Sequence, residues 1–375
     1  MKIEILREKL NQAVSIVSRI ATKSANLPIL EGVMIKADDS KISFTSTDLE
    51  AGIEISTLAK VSKDGQAVVP ARIISALAKL MNDDKIFLDM VKGALVIKDS
   101  NNETSLQTLE AEEFPILPQV ESGLELEING ADLCNGLRQV IDCVAVSQSR
   151  PEISGVFVSI KAGKLILAAT DSYRLAQKTI SLNSKVKQDK EFILPAKTVN
   201  NLIAIIGESD RIVKISIDES QVEFSTVIGD SPLDLNVRIV SRMIEGTYPR
   251  YEDVIPQKTS VSIKLDRHEF MGKTKAASLL SDQTYEIKLS SQSKEEKLKI
   301  EARSSRVGEF KSSIPAEITG GDIDISFNGK FLSDALMNLI GPSVWLHLVD
   351  SDKAALLKSE EDQDYLYVLM PIRSS

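Results

Sequence analysis

Lys41-Ile-Ser-Phe-Thr-Ser-Thr-Asp48, Lys164-Leu-Ile-Leu-Ala-Ala-Thr-Asp171 and Lys297-Leu-Lys-Ile-Glu-Ala-Arg-Ser304 are three versions of one segment. In each, a lysine opens an alternating run, the period of a half-buried strand, and a polar turn closes it. Lys164 follows Lys41 by 123 residues, and Lys297 follows Lys164 by 133. In a chain of 375 residues such a period means an internal threefold repeat, which decides the fold before any other feature does.

Working outward, a second marker follows each strand: Val68-Val69-Pro70-Ala71-Arg72, Ile193-Leu194-Pro195-Ala196-Lys197 and Ser326-Phe327-Asn328-Gly329-Lys330. Each opens an amphipathic run, with apolar positions Ile74, Leu77, Leu80 and Met81, then Val199, Leu202 and Ile206, then Leu332, Leu336 and Leu339. That spacing makes one apolar helix face. Alternating stretches come next (Ile86/Leu88, Val213/Ile215/Ile217 and Val344/Leu346/Leu348), and every copy begins with a strand and helix of the same kind. Each copy thus reads β-α-β-β-β twice over, an α+β unit with two helices packed on antiparallel sheets. Phe114-Pro115 and Tyr248-Pro249 close the first two copies, and the domains run over 1–120, 124–256 and 260–375. Predicted helices cover 7–23, 72–82, 131–147, 196–207, 266–280 and 330–340.

Hydrophobic residues at 43% and charged residues at 26% describe a globular chain that folds throughout. The N-terminus interleaves charges with apolar residues, and no later run reaches membrane-spanning length, so a cytoplasmic protein is expected. Cys134 and Cys143 fall nine residues apart in a predicted helix, on opposite faces, and read as two buried thiols. Net charge is −9, which by itself argues against nucleic acid. The predicted helices nevertheless carry twelve basic and six acidic residues, so they are positive within an acidic body. Taken alone, that excess favours the plainer reading of basic residues on solvated helix faces.

Chemistry is hard to find. His268 and His347 lie in different elements with no partner at metal-ligand spacing, and GxxxxGK[ST], GxGxxG and GxSxG are absent, so no cofactor, metal or catalytic residue is expected. The best catalytic cluster is Thr170-Asp171-Ser172-Tyr173-Arg174-Leu175. Because Thr47-Asp48 stands at the same place in copy one, the Thr-Asp pair reads as turn structure, its carboxylate bonding nearby backbone N–H groups. Tyr173-Arg174-Leu175 is peculiar to copy two, and a special function belongs there.

Seven short segments resemble the bacterial β sliding clamp family, the processivity subunit of the replicative DNA polymerase: Leu27-Pro28-Ile29-Leu30, Ser46-Thr47-Asp48-Leu49-Glu50, Val69-Pro70-Ala71-Arg72, Glu113-Phe114-Pro115, Ala169 to Leu175, Gly246-Thr247-Tyr248-Pro249 and Met370-Pro371-Ile372-Arg373. Each is weak alone; their order over essentially the whole chain makes the set specific. The resemblance implies three tandem clamp domains that close, as a head-to-tail homodimer, into a non-catalytic ring around duplex DNA without reading its sequence. Implied partners are the DNA polymerase III catalytic subunit, the clamp loader and other replication and repair proteins that bind by linear motif. It implies a partner-peptide cleft of Ile153, Thr170, Arg174, Leu175, Pro249, Val254, Val368, Met370, Pro371, Ile372 and Arg373. It implies DNA-facing Lys23, Arg72, Lys79, Arg138, Gln148, Lys197, Lys273, Lys275 and Lys330, and a dimer interface of Leu106, Leu279 and Leu280. The chain departs from the family pattern at Tyr173, where histidine can stand, at Asp253, where arginine can stand, and in the terminal Ser374-Ser375, which extend past the usual arginine-hydrophobe ending and bear on how the tail lies over the cleft. Two other readings stay beside this one: an enzyme built on the repeat that uses Asp171 and Arg174, and a scaffold of the same fold that binds peptides but no DNA.

Overall fold

A computed structural model describes residues 1–22, 25–120, 123–147, 149–182, 188–229 and 234–373. The first copy comprises β1 (Lys2–Leu6), α1 (Arg7–Val17), β2 (Gly32–Asp38), β3 (Lys41–Thr47), β4 (Ala51–Leu58), β5 (Lys60–Lys63), β6 (Gly65–Pro70), α2 (Ala71–Leu80), β7 (Lys85–Val91), β8 (Ala94–Lys98) and β9 (Glu103–Gln107). The second comprises β10 (Leu124–Asn129), α3 (Gly130–Ile141), β11 (Gly155–Lys161), β12 (Lys164–Thr170), β13 (Arg174–Ser181), β14 (Lys190–Pro195), α4 (Ala196–Ile206), β15 (Ile212–Ile217), β16 (Gln221–Ile228) and β17 (Leu235–Arg242). The third comprises β18 (Val261–Asp266), α5 (Arg267–Leu279), β19 (Glu286–Gln292), β20 (Lys297–Ser304), β21 (Gly308–Pro315), β22 (Glu317–Thr319), β23 (Asp324–Asn328), α6 (Gly329–Asn338), β24 (Ser343–Leu348), β25 (Ala355–Lys358) and β26 (Tyr365–Leu369). The expected order recurs in all three, with β5 and β22 as additions. Among the described residues no helix is long and apolar enough to cross a membrane.

The helix starts follow from local chemistry. Asn129 Oδ1 accepts the Ala131 and Asp132 N–H groups, and Asn328 Oδ1 accepts those of Lys330 and Phe331, each satisfying donors that a first turn leaves free. Pro70 stands at the N-cap of α2, its fixed φ of −57° leading into the helix. The predicted helices 7–23 and 131–147 are too long, since α1 stops at Val17 and α3 at Ile141. Beyond α1 the Arg19 and Ile20 N–H groups reach back only three residues, and the Ser18 hydroxyl donates to Val14 and Ala71 carbonyls. Cys143 and Val144 make the same short bonds after α3. Ile20 and Cys143 stay fully buried, so the apolar pattern outruns the helix that it marks.

The chain divides into two compact units, one mainly Met1–Asp132 with Asn200–Met243, the other mainly residues 133–182, 189–199 and 244–373. In the first unit lie a five-stranded sheet, β5-β1-β7-β8-β9, and an eight-stranded sheet, β10-β15-β16-β17-β4-β3-β2-β6. Helices α1 and α2 pack together, and α1 covers β3 and β4, where Ile42, Phe44, Ile53 and Ile55 are fully buried. Burying one such side chain contributes on the order of 1.5–3 kcal/mol.

The second unit holds a nine-stranded sheet, β14-β11-β12-β13-β26-β25-β24-β18-β22, and a four-stranded sheet, β21-β20-β19-β23. Helices α5 and α6 pack together, and α5 lies on β20 and β21. In both units one sheet runs from one copy of the repeat into the next: β4 pairs antiparallel with β17, and β13 with β26.

Candidate functional site

The Thr-Asp turns of copies one and two share one hydrogen-bond pattern. Asp48 Oδ1 accepts the N–H groups of Glu50 and Ala51, while Thr47 Oγ1 accepts from Leu49 and donates to the Ala51 carbonyl. Asp171 Oδ1 likewise accepts from Tyr173 and Arg174, and Thr170 Oγ1 accepts from Ser172 and donates to Arg174. Leu49 and Ser172 carry the matching φ values of 75° and 76°, a left-handed conformation that these bonds hold in place. In copy three the Ser304 hydroxyl takes the carboxylate's part, accepting from Arg306 and Val307. The pair is turn structure, as its repetition in sequence indicates.

Strand alternation then separates the two residues that make copy two different. Leu175 stands opposite Val368, and Val368 opposite Leu356, on one face of the nine-stranded sheet. Together with Ile153, Ala168, Ile193, Tyr248 and Tyr251 they form one buried cluster. Arg174 and Tyr367, one step along, project from the other face, toward the helices. The Arg174 guanidinium donates to Asp171 Oδ2 at 2.9 Å, to Asp334 Oδ2 at 2.5 Å and to the Asp142 carbonyl, and its Cζ sits 4.2 Å from the Phe331 ring centre. Only 11% of the side chain is exposed. Lys178, on that same face, pairs with Asp362, which also accepts from Gln139 Nε2 at 2.9 Å. Two cations of β13 therefore tie the central copy of the repeat to the third from behind the Leu175 face.

Of the apolar positions expected in a partner cleft, Ile153, Leu175 and Val368 are 1–3% exposed and form a sealed floor. Thr170 and Pro249 are half-buried, and Val254 and Met370 are 48% and 39% exposed. Met370 is held there by its N–H bond to the Tyr173 carbonyl, and Tyr173 itself is largely exposed. Pro371, Ile372 and Arg373 lead away, the Ile372 N–H bonding Ser326 of β23. Asp253 is exposed beside Val254, while Ser374-Ser375 lie outside the described residues. Sequence reading missed Tyr248 and Tyr251, whose rings meet Phe157 at 4.9 and 5.9 Å beside a depression of about 410 Å³, and also Val146, fully exposed next to Ala145, which packs on the cluster. The aromatic-proline spacing marked Tyr248; nothing in the sequence pattern marked Val146.

The cationic positions fall on helices, as expected: Arg72 and Lys79 on α2, Arg138 on α3, Lys197 on α4, Lys273 and Lys275 on α5 and Lys330 on α6. Arg72, Lys79, Lys197, Lys275 and Lys330 are exposed; Arg138 and Lys273 are half-buried. Lys23 and Gln148 lie outside the described residues. Arg72, Lys197 and Lys330 occupy one position in all three copies, the second residue of the helix. A cation there opposes the helix dipole at about 0.3–1 kcal/mol. Three copies bear that cost at one place, and in the third the Lys330 ammonium lies 3.6 Å from the centre of the Tyr285 ring. Among the described residues no group of three His, Cys, Asp or Glu side chains could hold a metal, and both cysteines are buried.

Three α+β repeats, each with a cation at the second residue of its second helix, define a modular protein built three times from one unit. Family models of the DNA polymerase III beta subunit match the chain throughout, the N-terminal domain over residues 1–118, the central domain over 127–250 and the C-terminal domain over 252–373. The beta sliding clamp of Bacillus subtilis (strain 168) is 28% identical over 386 residues, covering all of both chains, and that of Synechococcus elongatus is 28% identical over 381 residues. The crystal structure of the Bacillus subtilis clamp superimposes with a TM-score of 0.93 over the full length of both chains. The Pseudomonas aeruginosa clamp, 25% identical and also at 0.93 over both full lengths, has been solved bound to griselimycin. The chain belongs to the DNA polymerase III beta subunit family, the bacterial sliding clamps that act as processivity factors of DNA polymerase.

Proposed function

We propose that two copies of this chain close head to tail into a ring on duplex DNA and hold DNA polymerase and other partners through the Leu175–Val368 cleft, without catalysing a reaction. The observation that carries this reading is the pairing rule at the joints. In copy order, β4, β13 and β21 are equivalent strands, as are β9, β17 and β26. The first joint pairs β4 with β17 and the second pairs β13 with β26. That leaves β21 and β9, each the last strand of its own sheet.

Pairing β21 of one chain with β9 of another repeats the rule and covers both edges, and two such contacts close a ring of six domains instead of a growing filament. Leu279, 79% exposed at the end of the helix over β21, and the half-buried Leu280 and Leu106 are the apolar groups such a contact would bury. The domain boundaries 1–120, 124–256 and 260–375 then mark the six equivalent segments. Cations repeated at the second helix suit phosphates in transient, sequence-independent contact.

The rim of Met370, Val254 and Pro249 over a sealed apolar floor fits a short linear peptide, and we read the partner-protein specificity as residing there. An enzyme using Asp171 and Arg174 is disfavoured, since both groups are consumed by the turn and by Asp334. Sedimentation equilibrium tests the joint rule: a mass near twice 41.1 kDa supports it, and a stable monomer at micromolar concentration overturns it.

A further inference from the structure

The floor of the cleft does not end at the cleft. On the same sheet face the register runs from Leu175 to Val368, to Leu356, to His347 and on to Ser262. One row over, Lys358 stands opposite Trp345, and Trp345 opposite Lys264. Trp345 and His347 are half-buried, with ring centres 5.8 Å apart and planes within 3° of parallel. Ser262 Oγ bonds His347 Nδ1 at 2.9 Å, and Glu360 accepts from the Trp345 indole at 2.9 Å, so both rings are fixed. Lys264, 5.5 Å from the Trp345 ring, is paired with the same Glu360, whereas Lys358 makes no ion pair among the described residues. An oriented aromatic pair on a solvated sheet face, with a cation beside it, is a surface for a ligand more than for a fold.

Resting on the cleft reading above, we propose that this face is a second docking surface, taking the stretch of partner polypeptide that flanks the cleft anchors and carries an aromatic residue with a carboxylate beside it. Continuity with the cleft names the occupant. Neighbouring strands lie about 4.8 Å apart, so His347 is roughly 10 Å from Val368, a span that about three extended residues bridge. The aromatic side chain packs on Trp345 and His347, and the carboxylate meets Lys358. Lys264 and Glu360 neutralise each other, which leaves the patch with no call for a polyanion.

Trp345 is the one tryptophan of the chain, so its emission reports this surface and nothing else. The experiment titrates full-length protein with three tryptophan-free probes: a short peptide bearing a glutamine and a hydrophobic pair, and that peptide extended at its N-terminal end or at its C-terminal end by four residues containing Asp and Phe. One extended form is expected to bind roughly three- to tenfold more tightly than the short one and to shift Trp345 emission, while the short peptide leaves emission unchanged. His347→Ala and Trp345→Phe should bring the extended peptide down to the affinity of the short one without altering short-peptide binding. Equal affinity of short and extended forms with silent emission overturns the second surface and leaves the cleft standing. Failure of every peptide to bind overturns the cleft and the extension with it.

Discussion

Replacing Arg174 by alanine separates a residue that touches a ligand from one that holds the site together. The family resemblance places Arg174 in the partner cleft, yet its guanidinium projects from the opposite face and is occupied by Asp171, Asp334, the Asp142 carbonyl and the Phe331 ring. Truncation leaves two carboxylates, 16% and 31% exposed, without their cation. Breaking a fully buried pair costs about 3–5 kcal/mol, and partial exposure here lowers that to about 2–3 kcal/mol. Loss of the ring contact adds about 0.5–1 kcal/mol. For a cooperative unit of this size the sum corresponds to a fall of roughly 6–12 °C in Tm. Differential scanning calorimetry of Arg174→Ala, Asp334→Ala and the double variant should show this fall, with the double variant little worse than Arg174→Ala alone. Peptide affinity should drop in both single variants, although Asp334 lies on the helix side. By contrast, Met370→Ala should weaken the peptide by about thirtyfold at unchanged Tm. An Arg174→Ala protein with unaltered Tm and weakened peptide binding would refute the reasoning, because the guanidinium would then be free for the ligand.

Leu279→Asp with Leu280→Asp should give folded monomers in sedimentation, with circular dichroism unchanged. Burial pushes the Cys143 thiol up to about 12, so native protein should resist a thiol reagent at pH 8, and both cysteines should react once it is unfolded. Burial, aided by the Lys358 ammonium, holds His347 below its ordinary value of 6.5. The fold thus favours the neutral ring; the stability this supplies is complete above 6.5 and is lost as pH falls from there through the lower folded value. The loss of Tm between pH 7.5 and 5 should accordingly be smaller in His347→Gln than in the parent chain.

Much of this architecture is legible in the sequence because the repeat supplies three readings of each element. The strand Lys297–Ser304 and the helix that Asn328-Gly329-Lys330 opens stand where the spacing put them. Helix ends were less legible: Ile20 and Cys143 continue the apolar period after the backbone has left the helix, since burial selects side chains and not hydrogen-bond geometry. The direction of Arg174 depends on which strand lies beside β13, and that neighbour, β26, is nearly two hundred residues away in sequence. Local periodicity carries no such information. The same pairing explains why removing the chain from Val368 onward is a poor test of the cleft: Val368 belongs to an inner strand of the nine-stranded sheet, and its loss would unmake the fold. Removing residues 370–375 spares that strand and takes away Met370, together with the Ile372 bond to Ser326.

Retention on DNA measures the central claim most directly. The protein is placed on a nicked circular plasmid by an ATP-driven loader, separated from free protein, and followed while half of the sample is cut once with a restriction enzyme. A closed ring stays on the circle and runs off the linear form, with residence on the circle hardly dependent on sequence. Equal retention on circular and linear DNA would contradict the account, for it would mean that the chain grips DNA instead of encircling it.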